Sequence, residues 1–138
     1  MIIAQAGAAS IPAPVPGVVP LVLRYDSEDP FAVVLEFPDP PTDGEMSGGE
    51  PISWCVSREL LRRGLDGPAG DGDFRLAPVD GGLTQLEFHN RNGVALVQVA
   101  TDDLGTFLAD TDEVVRPGEE HRHVHWPDTV EAFLRMSD

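Results

Sequence analysis

Lysine is absent from the chain, and nine arginines are its whole basic complement against 24 aspartates and glutamates, a formal charge of −15. A charge of that size repels phosphate backbones and anionic lipid headgroups at long range, so sequence-independent nucleic-acid binding is disfavoured. Any positive contact must come from an arginine, whose planar fork suits bidentate pairing with carboxylates. Cysteine is scarce too: Cys55 stands alone, which rules out an intrachain disulfide and fits a reducing compartment. No apolar run approaches the roughly 20 residues that cross a bilayer. The opening MIIAQAGAAS places no basic residue ahead of a long apolar stretch, as a secretory leader would. The chain therefore reads as cytoplasmic, with no membrane span. Aromatics are only 7% of residues and the arginines are scattered, a poor basis for the stacking platforms and basic groove of a single-strand binder.

What is present suffices for one core, since 41% of 138 residues are apolar. Residues 1–23 carry no charge, and Pro12, Pro14 and Pro16 alternate in SIPAPVPG, which removes ladder donors and favours polyproline II. Residues 1–17 read as an extended or mobile Pro/Ala-rich tail, and 18–138 as the folded domain. In VVPLVLRY, Val19, Leu21, Leu23 and Tyr25 share one face. Phe31, Val33, Leu35 and Phe37 do the same in FAVVLEF, which gives two strands joined by the turn DSEDP. The breakers of residues 38–51 predict a long mobile hairpin loop before ISWCV resumes alternation at Ile52, Trp54 and Val56.

A short helix follows, with Ser57 as N-cap, Glu59 placed four residues before Arg63, and Gly64 as a left-handed C-terminal residue. FRLAP predicts a strand, and LTQLEFHNRNGVALVQV a hairpin around Asn92-Gly93. Its second arm, apolar apart from Gln98, predicts a strand covered on both faces. TDDLGTFLADT predicts a helix opening at Thr101 or Asp102, with Leu104, Phe107 and Leu108 on one stripe. PDTVEAFLRM repeats that pattern with Val130, Phe133 and Leu134. The class is α+β: antiparallel sheets packed with two to three short helices. Phe31, Leu35, Trp54, Leu60, Leu96, Phe107 and Leu108 are the expected core.

Three places invite a chemical reading. In DGPAGDGDF, residues 66–74, Asp71 and Asp73 alternate as calcium ligands would, but Arg75 takes the next ligand position. Gly67, Gly70 and Gly72 are better read as positive-φ positions, and the two aspartates as turn acceptors. His121, His123 and His125 in EEHRHVHW would share one side of a strand, yet imidazoles spaced that way lie roughly 7 Å apart, too far to share one ion without bending the strand. A polar strand or loop is the plainer reading, with a pH-sensitive contact surface behind it. Cys55 beside Trp54 reads as inert packing, and no G-x-S-x-G elbow is present. No catalytic, metal or cofactor site is expected.

LVLRYDSEDPFAVVLEF (21–37), WCVSRELLRRGLDGPAGDGDFRLAP (54–78) and FLADTDEVVRPGEEHRH (107–123) together resemble the SsgA-like proteins of sporulating actinomycetes. The pattern R-Y-D, D-P-F-A-V, W, R-E-L-L, G-L and P-x-G-x-G-D in order carries the likeness, and GEEHRH is similar to the SsgB type. The resemblance implies a whirly-like fold, a bell-shaped homotrimer and a non-enzymatic morphogenetic role. It also implies septum-site selection, with FtsZ recruited and tethered at sporulation septa in company with another SsgA-like protein. No FtsZ-contacting residue is carried over. Two departures stand out: the uncharged Pro/Ala stretch occupies the place of the family's first strand, which is expected to be missing or altered, and the 38–51 loop is long. The alternative, by analogy of fold, is a single-stranded nucleic-acid-binding whirly-like protein.

Overall fold

The structure, a computed structural model, describes residues 1–12, 16–38, 50–91 and 93–124. The elements follow in the order β1 (Ile2–Ile11), β2 (Gly17–Asp26), β3 (Ala32–Phe37), β4 (Ile52–Ser57), α1 (Arg58–Gly64), β5 (Ala69–Asp71), β6 (Phe74–Val79), β7 (Leu83–Asn90), β8 (Gly93–Ala100) and α2 (Thr101–Val114), with a 3-10 turn at Glu120–His123. This is the expected α+β class. The strands form one sheet in the order β4-β3-β2-β1-β8-β7-β6-β5. Each half is an antiparallel meander of chain neighbours, and the halves meet through one register pair, Ser10↔Gln98.

A sheet joined so sparsely bends at the joint. The Trp54 ring on β4 lies 4.8 Å from Phe88 on β7, and Phe37 on β3 meets the same ring edge-on at 5.9 Å. At about 4.8 Å per strand a flat sheet would hold β4 and β7 far apart. The sheet is therefore curled, and its concave side holds the core. On one flank α2 packs against β1 and β8; α1 packs against β5 and β6.

Residues 2–11 form a strand and not the expected tail. β1 pairs with β2 from Ile2↔Asp26 to Ile11↔Gly17, and Pro12 and Pro16 flank the connection between them. The strand expected to be missing or altered is thus present. Alanine, glycine and glutamine have weak strand preference, so β1 owes its existence to the ladder that β2 offers.

The alternation in β2 and β3 is realised, with Val19, Leu21, Leu23, Tyr25, Val33, Leu35 and Phe37 all buried. Leu60, Phe107 and Leu108 are core as expected. Phe31 is not: it is 55% exposed, because it lies in the turn ahead of β3 where the pleat no longer aims it. Trp54 and Leu96 are half-buried. β8 is covered on one face only, with Val97 and Val99 buried and Val94 exposed.

Ser57 caps α1 as predicted, its hydroxyl accepting from Leu60 N–H at 3.1 Å. Gly64 does not adopt a left-handed conformation; the cap residue Leu65 stays right-handed at φ −76°. Glycine is needed at 64 for another reason, since a Cβ there would overlap the Leu76 side chain on β6. Glu59 faces Arg62 at 3.9 Å rather than Arg63. Most of the 38–51 loop and the helix expected at 127–136 lie outside the described residues.

Candidate functional site

Among the described residues, the most concentrated chemistry surrounds Arg58, the first residue of α1, which is 2% exposed. Its Nη1 donates to the Val115 carbonyl at 2.8 Å and, at 3.4 Å each, to the Thr111 carbonyl and hydroxyl. Its Nη2 donates to Glu120 Oε1 at 2.7 Å. Asp112 Oδ1 stands 3.5 Å from Nη1, and the guanidinium carbon lies 5.1 Å from the centre of the Tyr25 ring. The Tyr25 hydroxyl donates to the Pro30 carbonyl at 2.9 Å. One turn along α1, Arg62 pairs bidentately with Asp112 at 2.9 and 2.6 Å.

Electrostatics explain the arrangement. α2 has no basic residue in its last turn, so the partial negative charge at its C-terminal end is met from outside the helix by Arg58 and Arg62. The hydrogen bond from Arg58 holds the Glu120 carboxyl below its usual range. Burial raises the Tyr25 hydroxyl, an effect partly opposed by Arg58, and the hydrogen bond to Asp112 raises Arg62. Among the described residues, Arg62 Nε is the one buried side-chain polar atom without a hydrogen bond, and Glu59 Oε2 stands 3.9 Å from it. The cluster is a clamp between α1, β2 and the end of α2.

Asp66–Phe74 proves to be a hairpin. β5 pairs with β6 through Ala69↔Leu76, Gly70↔Arg75 and Asp71↔Phe74, and Gly72, at φ 60°, makes the two-residue turn. Gly67 and Gly70 are not in the positive-φ region, which corrects the reading of all three. The hairpin borders an open hollow of about 530 Å3, lined by Pro68, Gly70, Asp71, Arg75, Gln85 and Glu87 among others.

His121 and His123 lie on the 3-10 turn and are exposed; at three residues per turn they diverge instead of sharing a strand face. His125 is outside the described residues. Among the described residues, no three His, Cys, Asp or Glu side chains come together to hold a metal ion. Cys55 is an exposed free thiol on β4, not core packing. No helix in the described residues is long and apolar enough to cross a membrane.

The span from β2 to the Glu120 that receives Arg58, residues 19–120, matches the profile of "Streptomyces sporulation and cell division protein, SsgA". The chain belongs to the SsgA family. Among relatives of this SsgA-family chain, the sporulation-specific cell division protein SsgB of Salinispora tropica is 40% identical over 115 residues, 81% of this chain and 77% of that protein. SsgB of Streptomyces coelicolor is 37% identical over 122 residues, 86% and 84% of the two chains. A solved structure from work on SsgB mutations that correlate with longitudinal cell division during sporulation of Streptomyces coelicolor superposes with a TM-score of 0.78 at 30% identity, over 89% of this chain and 95% of that one. The SsgA-like sporulation-specific cell division protein of Thermobifida fusca has the same fold, with a TM-score of 0.78 at 24% identity over 99% and 94% of the chains.

The family supports a role for this chain in sporulation-specific cell division. Two side chains of its sequence signature, Tyr25 and Arg58, prove to be partners in the clamp. Both are legible in the sequence as pattern members, but their contact is not, since 33 positions separate them.

Proposed function

We propose that this SsgA-family chain is a non-catalytic adaptor in sporulation-specific cell division: a homotrimer at the division septum, on the cytoplasmic side, that helps select the septum site and recruits FtsZ together with another SsgA-like protein. Kinship across residues 19–120 to proteins named for sporulation-specific cell division is the observation that carries this reading. The geometry is in keeping with it. Tyr25 and Arg58 of the signature are spent on internal structure, while Phe31, Gly70, Gly72 and Asp73 lie at the surface. A trimer would show that surface three times, so weak single contacts with a polymer would gain avidity.

The nucleic-acid alternative draws less support. Phe37, Phe74 and Phe88 face the core and Trp54 packs on them, while Arg58 and Arg62 are engaged in the clamp. A stacking platform in a basic groove is not what these residues build. The test is co-sedimentation with assembled FtsZ at near-physiological salt, alongside light scattering of the chain alone. Enrichment in the polymer pellet and a trimer mass are expected; a chain that stays in the supernatant would overturn the recruitment reading.

A further inference from the structure

β4 ends the sheet on one side, and among the described residues no strand pairs with its outer edge. Soluble proteins shield such edges with charge, proline, a bulge or brevity. The opposite end follows that rule, because β5 is three residues long. β4 has six residues, Ile-Ser-Trp-Cys-Val-Ser, none of them charged or proline, in a chain of which 24% is charged.

The register decides which backbone groups are free. Arg58 N–H donates to the Phe31 carbonyl at 2.8 Å, and the ladder runs on through Ala32↔Ser57 to Phe37↔Ile52. Antiparallel alternation then aims the backbone groups of Ile52, Trp54 and Val56 at β3 and those of Ser53 and Cys55 outward. Both of the latter residues are exposed. The core side of the same edge is unfinished: Val56 is buried, but Ile52 is 46% exposed, and Trp54 is only half-buried although its ring packs on Phe88.

We propose that β4 is a docking edge for an extended segment of a protein partner, which adds to the sheet as a further antiparallel or parallel strand. The pleat sets the segment's chemistry, with apolar side chains at every second position to cover Ile52 and Trp54. The charge of −15 favours basic residues on either side of that apolar stretch and disfavours a second copy of this chain as the occupant. This rests on the adaptor reading and names how its contact with the polymer is made.

Hydrogen exchange by mass spectrometry on the full chain, free and bound to assembled FtsZ, tests it together with the variants Ser53→Pro and Cys55→Lys. Proline at 53 removes an outward N–H that no native ladder uses, and lysine at 55 supplies the missing edge charge. The outward N–H groups of Ser53 and Cys55 should exchange freely in the isolated chain, unlike those of Ile52, Trp54 and Val56 in the β3 ladder, and become protected in the pellet, and each variant should keep the wild-type circular dichroism while weakening co-sedimentation at least about tenfold. Pelleting with the Ser53 and Cys55 N–H groups still exchanging, or with both variants pelleting like wild type, would overturn the docking edge and leave the adaptor reading standing. Protection of the Ser53 and Cys55 N–H groups already in the isolated chain would overturn it as well, and light scattering would then tell cover by the chain itself from pairing between copies. Failure of the wild-type chain to pellet would remove both readings.

Discussion

Arg58 is where residue chemistry is most demanding, because a guanidinium at 2% exposure is tolerable only with its donors matched. Val115, Thr111 and Glu120 match them. The Glu120 carboxyl carries the pH dependence of this arrangement. Its folded value lies below its unfolded one, so the unfolded chain binds more protons across that interval and stability rises with pH through it. The stabilisation is complete above the unfolded pKa and disappears as pH falls through the folded one. Glu120→Gln should therefore lower the melting temperature at pH 7 and flatten its decline on acidification; an acid limb as steep as wild type would show that the pair contributes nothing. R-Y-D and R-E-L-L were legible in the sequence as pattern members, but the contact between Tyr25 and Arg58 depends on how β2 and α1 are brought together.

Between elements, the clamp joins α1 to the far end of α2. α2 opens with Asp102 and Asp103 at its positive end, a favourable placement, yet carries no basic residue where its dipole turns negative. Arg58→Ala should cost about 3–5 kcal/mol in chemical denaturation, the usual loss when one member of a buried pair is removed. Arg58→Lys should remain well below wild type, since an ammonium cannot span the same acceptors as a fork. Local signals were read correctly where the partner lies a few residues away, as with the Ser57 hydroxyl and Leu60 N–H. They failed where the partner is distant. The place of Gly64 in the chain predicts a left-handed cap, whereas its close neighbour is Leu76 on β6. β1 went unseen because its ladder partner, β2, defines it.

For the molecule as a whole, the curl of the sheet sets which rings matter. Phe88 is 4% exposed and touches Phe37, Trp54 and Phe74 at centroid distances of 5.9, 4.8 and 5.2 Å. Phe88→Ala should cost about 3–5 kcal/mol and loosen both halves together. Trp54→Ala should cost less despite the larger side chain, because half-buried Trp54 stands at the open edge; urea midpoints of the two variants, with equal slopes, measure the difference. If Trp54→Ala were the more damaging, the closure of the sheet would have to rest on β4 and not on Phe88.

By itself the sequence determined the pleat of β2 and β3, the cap of α1, the stripe of α2, the excess of negative charge and the family, all of which depend on composition or on residues close along the chain. Only the tertiary structure decided that residues 2–11 are a strand, that Phe31 turns outward, that Arg58 reaches the end of α2 and that, among the described residues, β4 is left as a bare edge. Those outcomes are set by contacts between segments tens of residues apart, and no local preference encodes which segments will meet.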